Sequence, residues 1–340
     1  MSRCFTILMK QMKIFSVQTK NIKIFILFFI PLEFKMVKVV HFAVNAAKGE
    51  EHVANGIVVN NAEYVGKKLK TDSRVPGRLR ADDHADFYRD VLGADEETVA
   101  IIRHGYNIPF DSPPPVTGLV ENNKSCASNP DFVWAEMVRY TQLGCVQEVD
   151  GPSTVMLPLS LVFSNKTRLV VDASRHLNPW VSKECTKLDS LDEMGSIVKP
   201  GMWFSVDDLD SGYWHLALHP ESYQYCGNSC VNPETGKLHY FQWKVLFLGI
   251  TSAVTVFTRI TTPIKVYLRL KCGITILIYI DDIFTAAKSY EQALFIKLFV
   301  IDVLGRAGWV INLDKGQMPT QAATYLGFVV DSQVHEDLPA

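Results

Sequence analysis

Ile274-Thr275-Ile276-Leu277-Ile278-Tyr279-Ile280-Asp281-Asp282-Ile283-Phe284 is the stretch whose reading decides the fold. An apolar, β-branched run leads to two aspartates, and the apolar pattern resumes directly after them. Two adjacent acids between such runs predict a tight β-hairpin with carboxylates at its tip. Like charges this close resist joint ionisation unless a cation neutralises them. Hard cations such as Mg²⁺ take oxygen ligands, usually one or two carboxylates, and leave positions for phosphate oxygens. Taken alone, the stretch fits a solvated acidic turn at least as well.

A second acidic strand end shifts that balance. Trp203-Phe204-Ser205-Val206 is a β run, and Asp207-Asp208-Leu209-Asp210-Ser211-Gly212-Tyr213 follows it. A carboxylate from here beside Asp281 would make a two-metal site, with ions ~3.5–4 Å apart clamping the attacking and leaving oxygens of a phosphoryl displacement.

Around these two motifs the chain alternates short strands and helices. Leu169-Val170-Val171 and Tyr325 to Val330 read as further strands. Ala94-Asp95-Glu96-Glu97 opens a helix running to about His104, with acids in its first turn. Asn129, Pro130 and Gly144 bracket another, with Val133, Met137 and Tyr140 on one stripe. Ser289 with Gln292 forms a capping box for a third, from about Tyr290 to Ala307. This order predicts an α+β domain on an antiparallel sheet. His215 and His219, among alternating Leu216 and Leu218, read as outward residues of a strand.

Composition narrows the class. Among 340 residues, 48% are hydrophobic and 21% charged, which excludes disordered and collagen-like chains. The seven cysteines include no CxxC pair, so a disulfide framework or zinc finger is not expected, and a reducing, intracellular setting, cytoplasmic or nuclear, is. A net charge of −2 gives no global nucleic-acid signature. Residues 1–40 are an atypical leader rich in Lys, Ile, Phe and Met, read as translated non-coding sequence. Their longest apolar run, Ile24 to Ile30, is far short of the ~20 residues a membrane span needs, and no membrane partner is expected. Residues 41–115 read as a lead-in ending in a Pro-rich linker, and residues 116–340 as the main domain.

The main domain resembles a reverse transcriptase. The resemblance spans roughly Ile101 to Ser332 and meets successive family motifs in order. Tyr279-Ile280-Asp281-Asp282 resembles the YxDD box. Asp208 to Tyr213 resembles the first catalytic motif, in which an Asp stands five residues before an aromatic, so that register selects Asp208. Pro158 to Asn178 resembles the fingers strands, and Gly249 to Phe257 the loop and helix that contact template and nucleotide. Asn312-Leu313-Asp314-Lys315 resembles the later lysine motif, and Tyr325-Leu326-Gly327-Phe328 the primer-grip hairpin. Gly212-Tyr213-Trp214-His215 and Phe257-Thr258-Arg259 are similar in wording to DIRS/PAT-like retrotransposons, with gypsy-like elements next.

The resemblance implies the fingers and palm of a right-hand polymerase, with an antiparallel palm sheet over about 200–331 backed by helices and the thumb absent or truncated. It implies an RNA template, a DNA or RNA primer, deoxynucleoside triphosphates, and two Mg²⁺ ions, with Mn²⁺ as a substitute. Asp208 and Asp281 would hold the metals, with Asp282 beside them. Lys166 and Arg168 would grip the triphosphate, Tyr213 would exclude a 2′-hydroxyl, Gly249 would admit close backbone approach, and Lys315 would assist pyrophosphate departure. On residues alone each of these five has a plainer reading: a solvated β-edge for Lys166 and Arg168, core packing for Tyr213, a turn for Gly249, and an exposed lysine at 315. Val254 where the family usually has Pro, and one extra residue between Asp172 and Asn178, depart from the pattern. Another class stays open: a catalytically inactive truncated relic, or a co-opted nucleic-acid-binding protein.

Overall fold

Apolar runs broken every few residues by Gly, Pro and Asn give many short elements rather than a few long ones. The computed structural model describes residues 75–333 except 185, 187 and 190, together with the backbone of three strands nearer the amino terminus. Those strands, β1 (Lys13–Gln18), β2 (Ile22–Phe28) and β3 (Val40–Asn45), form an antiparallel sheet in the order β1-β2-β3. They belong to a unit of their own, Met1–Asp72. The other residues of the expected leader lie outside the described residues.

The second unit, Ser73–Ala340, opens with α1 (Asp82–Asp90) and α2 (Glu96–His104). Asp95 caps α2 by accepting from the Thr98 N–H at 2.7 Å, and Gly105 ends it at φ 94°. The expected lead-in is therefore divided. From Val75 on, Leu79, Tyr88, Ile102 and Ile108 enter the same core as the later chain. There Trp309 Nε1 donates to the Tyr88 hydroxyl at 2.9 Å, with both rings buried.

A short α3 (Lys124–Ala127) precedes α4 (Pro130–Leu143), which ends at left-handed Gly144 with Val133, Met137 and Tyr140 buried. β4 (Val146–Val149) follows, then the hairpin β5 (Leu159–Val162) and β6 (Arg168–Val171). Next come α5 (Leu191–Ile197), β7 (Trp203–Asp208), β8 (Gly227–Val231) and β9 (Leu238–Trp243). α6 (Ala253–Val266) leads into β10 (Thr275–Tyr279) and β11 (Asp282–Ala287). α7 (Tyr290–Arg306) is capped by Ser289, whose Oγ accepts from the Gln292 N–H at 3.2 Å. The last elements are β12 (Gln317–Thr320), β13 (Ala322–Tyr325) and β14 (Phe328–Asp331). Mixed helices and antiparallel sheets make this an α+β fold, as the sequence predicts.

The sheet that matters for the site has the order β10-β11-β7-β12, antiparallel throughout. Alternation splits its side chains. Phe204, Val206, Leu277, Phe284 and Ala286 face one way and pack with Tyr325 and Met194. Ile276, Ile278, Ile283 and Ala287 face the other way into the larger core, on the side covered by α7. No helix among the described residues is long and apolar enough to cross a membrane.

Two expectations are corrected. Tyr325 to Val330 is not one strand: β13 and β14 meet at a turn where Leu326 and Gly327 have φ of 49° and 82°. The histidine segment is not an outward-facing strand either. Gly212–His215 is a 3₁₀ turn and His215 is fully buried, while His219 caps the next 3₁₀ turn, Pro220–Tyr225.

Replacing Tyr88 by Phe leaves the buried Trp309 N–H without an acceptor. We expect a loss of about 1–3 kcal/mol, measured by urea denaturation, with no change in far-UV circular dichroism.

Candidate active site

The pairing of β11 with β7 places Asp282 opposite Asp208. Both continue the Phe204–Val206 and Phe284–Ala286 face, so two carboxylates emerge together at one end of an otherwise apolar layer. Asp281 sits in the two-residue turn between β10 and β11, after Ile280 at φ 53°. A positive φ is costly for a β-branched residue, and strain of this kind collects at functional sites. The Asp281 carbonyl accepts from the Leu209 N–H at 2.9 Å, which ties the turn to the residue following Asp208.

The cluster is electrostatically loaded. Burial, then the charges of Asp281 and Asp208, push the Asp282 carboxyl up to about 6. Burial also raises Asp281, partly offset by a main-chain hydrogen bond and reinforced by Asp208. Lys315 answers this charge. Its Nζ donates to Asp208 Oδ2 at 2.8 Å, and that bond holds the ammonium above its ordinary range. The turn carrying Lys315 is fixed to the same strand, because the Asn312 N–H donates to the Asp208 carbonyl at 2.8 Å. Among the described residues no three Asp, Glu, His or Cys side chains close into a metal cage. The acids are neighbours that share an internal cation.

Tyr213 lies beside Asp281, its ring 5.0 Å from that of Phe257. Its hydroxyl is buried without a hydrogen-bond partner among the described residues, and burial and Asp281 push it up to about 12. Gly212 permits this proximity: a Cβ there would stand 3.1 Å from the Phe257 ring and 3.4 Å from the Asp281 Cβ. His215 pins the turn from below. Its Nδ1 meets the Gly212 carbonyl at 3.2 Å, and its Nε2 accepts from the Val310 N–H at 3.0 Å. That pattern requires neutral imidazole, and burial lowers its pKa to about 4.

Gly249 has φ 122°, and a Cβ there would come within 2.5 Å of the Val171 carbonyl oxygen on β6. Only glycine fits such a contact. Lys166 and Arg168 stand exposed on the β5–β6 hairpin and make no ion pair among the described residues. The structure thus gathers Asp208, Asp281, Asp282, Lys315 and Tyr213, seats Gly249 against β6, and leaves Lys166 and Arg168 outside the cluster.

Two supporting residues escaped the sequence reading. The Asn178 side chain clamps the loop after β9: its Nδ2 donates to the Gly249 carbonyl at 2.8 Å, and its Oδ1 accepts from the Thr251 N–H at 2.9 Å. Asp189 accepts from Lys265 Nζ, Arg269 Nη2 and the Ile278 N–H at 2.8, 2.9 and 3.0 Å, bracing β10 from the side. Only the extra residue between Asp172 and Asn178 hinted at the first, and nothing local signalled the second.

Gly249→Ala should lower stability by about 1–3 kcal/mol in denaturant titration, since the backbone is strained for any side chain and the methyl meets a carbonyl. A second expectation concerns pH. A carboxyl raised from 3.8 to about 6 favours folding while it is protonated, and that contribution is lost as pH rises through the folded value. In metal-free protein Asp282→Asn should therefore raise the melting temperature at pH above about 7 and change little below about 4, as read by calorimetry.

Residues 164–330 match the family model described as reverse transcriptase (RNA-dependent DNA polymerase). The enzymatic polyprotein of Cestrum yellow leaf curling virus is 26% identical over 230 residues, covering 66% of this chain and 32% of the viral protein. The Gag-Pol polyprotein of Gibbon ape leukemia virus is 26% identical over 195 residues, covering 56% of this chain and 12% of that protein. The enzymatic polyprotein of Soybean chlorotic mottle virus is 28% identical over 174 residues, covering 51% and 24%. The chain spans about a third or less of the length of these relatives. The acidic strand pair, the glycine-seated loop and the Lys315 turn all lie inside residues 164–330, the region similar to reverse transcriptases.

Proposed function

We propose that this chain carries the fingers and palm of a retroelement RNA-directed DNA polymerase, over residues 116–340 with the palm at about 200–331. The reaction is attack of a primer 3′-hydroxyl on the α-phosphorus of a deoxynucleoside triphosphate, which forms a phosphodiester and releases pyrophosphate. The observation that carries the proposal is the opposition of Asp208 and Asp282 across β7 and β11, with Asp281 in the adjoining turn. In wording, Gly212 to His215 favours a DIRS/PAT-like or gypsy-like source.

The donor set fits a pair of hard divalent cations, Mg²⁺ or Mn²⁺. Three carboxylates converge at one strand end, burial and neighbouring charge oppose the ionisation of Asp281 and Asp282, and an ammonium already stands against Asp208. Asp208 and Asp281 would hold the ions, with Asp282 adding negative potential. When bound, the metals supply Lewis-acid activation of the 3′-hydroxyl and charge neutralisation on the triphosphate.

The remaining work falls to side chains. Tyr213, its ring 5.0 Å from that of Phe257 and tilted by 46°, would present its face where a 2′-hydroxyl stands. Lys315 keeps its proton and offers it, or its charge, to the departing pyrophosphate. Lys166 and Arg168 would meet the β- and γ-phosphates from the fingers side, Arg as a planar fork and Lys as a point charge. Asn178 holds the Gly249–Thr251 loop that faces template and nucleotide.

Primer extension on an RNA template with Mg²⁺ and deoxynucleotides tests this. Asp281→Asn should lower extension by about 10²–10³-fold while primer-template binding persists. Tyr213→Ala should keep deoxynucleotide addition and raise the share of ribonucleotides incorporated. A folded wild-type protein that binds primer-template and extends nothing would instead assign the chain to the non-catalytic, nucleic-acid-binding reading.

A further inference from the structure

Asp207 precedes the proposed metal ligand and points the opposite way. Alternation along β7 sends it to the α7 side of the sheet, where it accepts a hydrogen bond from Lys297 Nζ. Asp207 is 3% exposed and Lys297 6%. Burying such a pair strips water from two ions, and apolar residues of similar volume are often as stable or more so. Stability alone therefore does not explain a charged pair in this buried layer, whose other polar side chains, Ser205 and Thr285, are neutral.

A third residue gives it a use. A Cβ on Gly316 would stand 2.8 Å from Asp207 Oδ1 and 3.3 Å from Lys297 Nζ, so the main chain at 316 lies directly on the pair. The preceding residue is Lys315, whose ammonium meets Asp208. Two acid–lysine pairs thus sit on opposite faces of β7 at adjacent residues, joined by one turn. The far end of that turn is fixed by the Asn312 N–H on the Asp208 carbonyl. With both ends anchored to β7, the seat of Gly316 sets the height of Lys315 above the carboxylates.

We infer that Asp207, Lys297 and Gly316 are positioning residues, a buried platform that sets where Lys315 meets Asp208. The inference rests on the polymerase reading for its kinetic consequence but not for its geometry.

The test uses the full chain, with the double variant Asp207→Leu/Lys297→Met and, separately, Gly316→Ala, whose methyl would press on the pair. Three readouts are needed: melting temperature, the acetylation rate of Lys315 in metal-free protein by peptide mass spectrometry, and kcat with the dNTP KM in primer extension. A platform predicts faster Lys315 acetylation in both variants, a kcat lowered by up to about 10²-fold, and a KM little changed. Adding Lys315→Met to the double variant should then cost little more, because the residues act as one unit. Unchanged acetylation and kcat in a folded double variant would overturn the inference, leaving the pair a packing feature. So would loss of folding in both variants, which would make the pair a stability element. If wild-type protein extends no primer, the polymerase reading fails by itself, and the acetylation rates still decide the platform.

Discussion

The pairing of β7 with β11 is the constraint on which the site depends. It brings two acidic segments, far apart in sequence, to one edge, and it does so only in one register. A slip of β7 by a single residue would turn Asp208 toward α7, away from Asp282, and send Asp207 outward. Both faces of the sheet resist that slip, since Phe204, Val206 and Phe284 fill one apolar layer and Ile276, Ile278 and Ile283 fill the other. The geometry of the carboxylate cluster is thereby set by ordinary hydrophobic packing.

The same packing creates the electrostatic problem at the strand ends. Carboxylates that terminate an apolar layer lose water and repel one another, and the chain meets this with Lys315 rather than with a closed cage of donors. Backbone strain marks the same region. The non-glycine residues with positive φ among those described are Ser211, Ile280 and Leu326. The first two sit in the turns that carry Tyr213 and Asp281. Distortion is concentrated where side chains must be aimed, and the flanking strands hold it in place.

Much of this was legible in the sequence because the signals were local. The hairpin bearing Asp281 and Asp282, the Asp95 and Ser289 caps, and the Gly144 terminus each rest on residues within a few positions of one another. The misreadings share a cause. In Tyr325 to Val330 the apolar pattern read as one strand, while the hairpin that the resemblance placed over Tyr325–Phe328 is what the structure shows. Around His215 alternation imitated a strand where tertiary burial had imposed a tight turn. The motif register selected Asp208 and assigned Asp207 no role, because its partner Lys297 is 90 residues away. The Asp189 hub was invisible for the same reason, its cations lying on α6 and just beyond it. Local propensity carries no information about such pairings.

The contact between Gly249 and the Val171 carbonyl bears on mechanics. With two Asn178 hydrogen bonds beside it and no room for even a methyl group between the chains, the β5–β6 hairpin and the loop before α6 are keyed together. Neither can swing without carrying the other. The hairpin and the loop before α6 therefore share one rigid contact, and a side chain larger than hydrogen at 249 would force them apart.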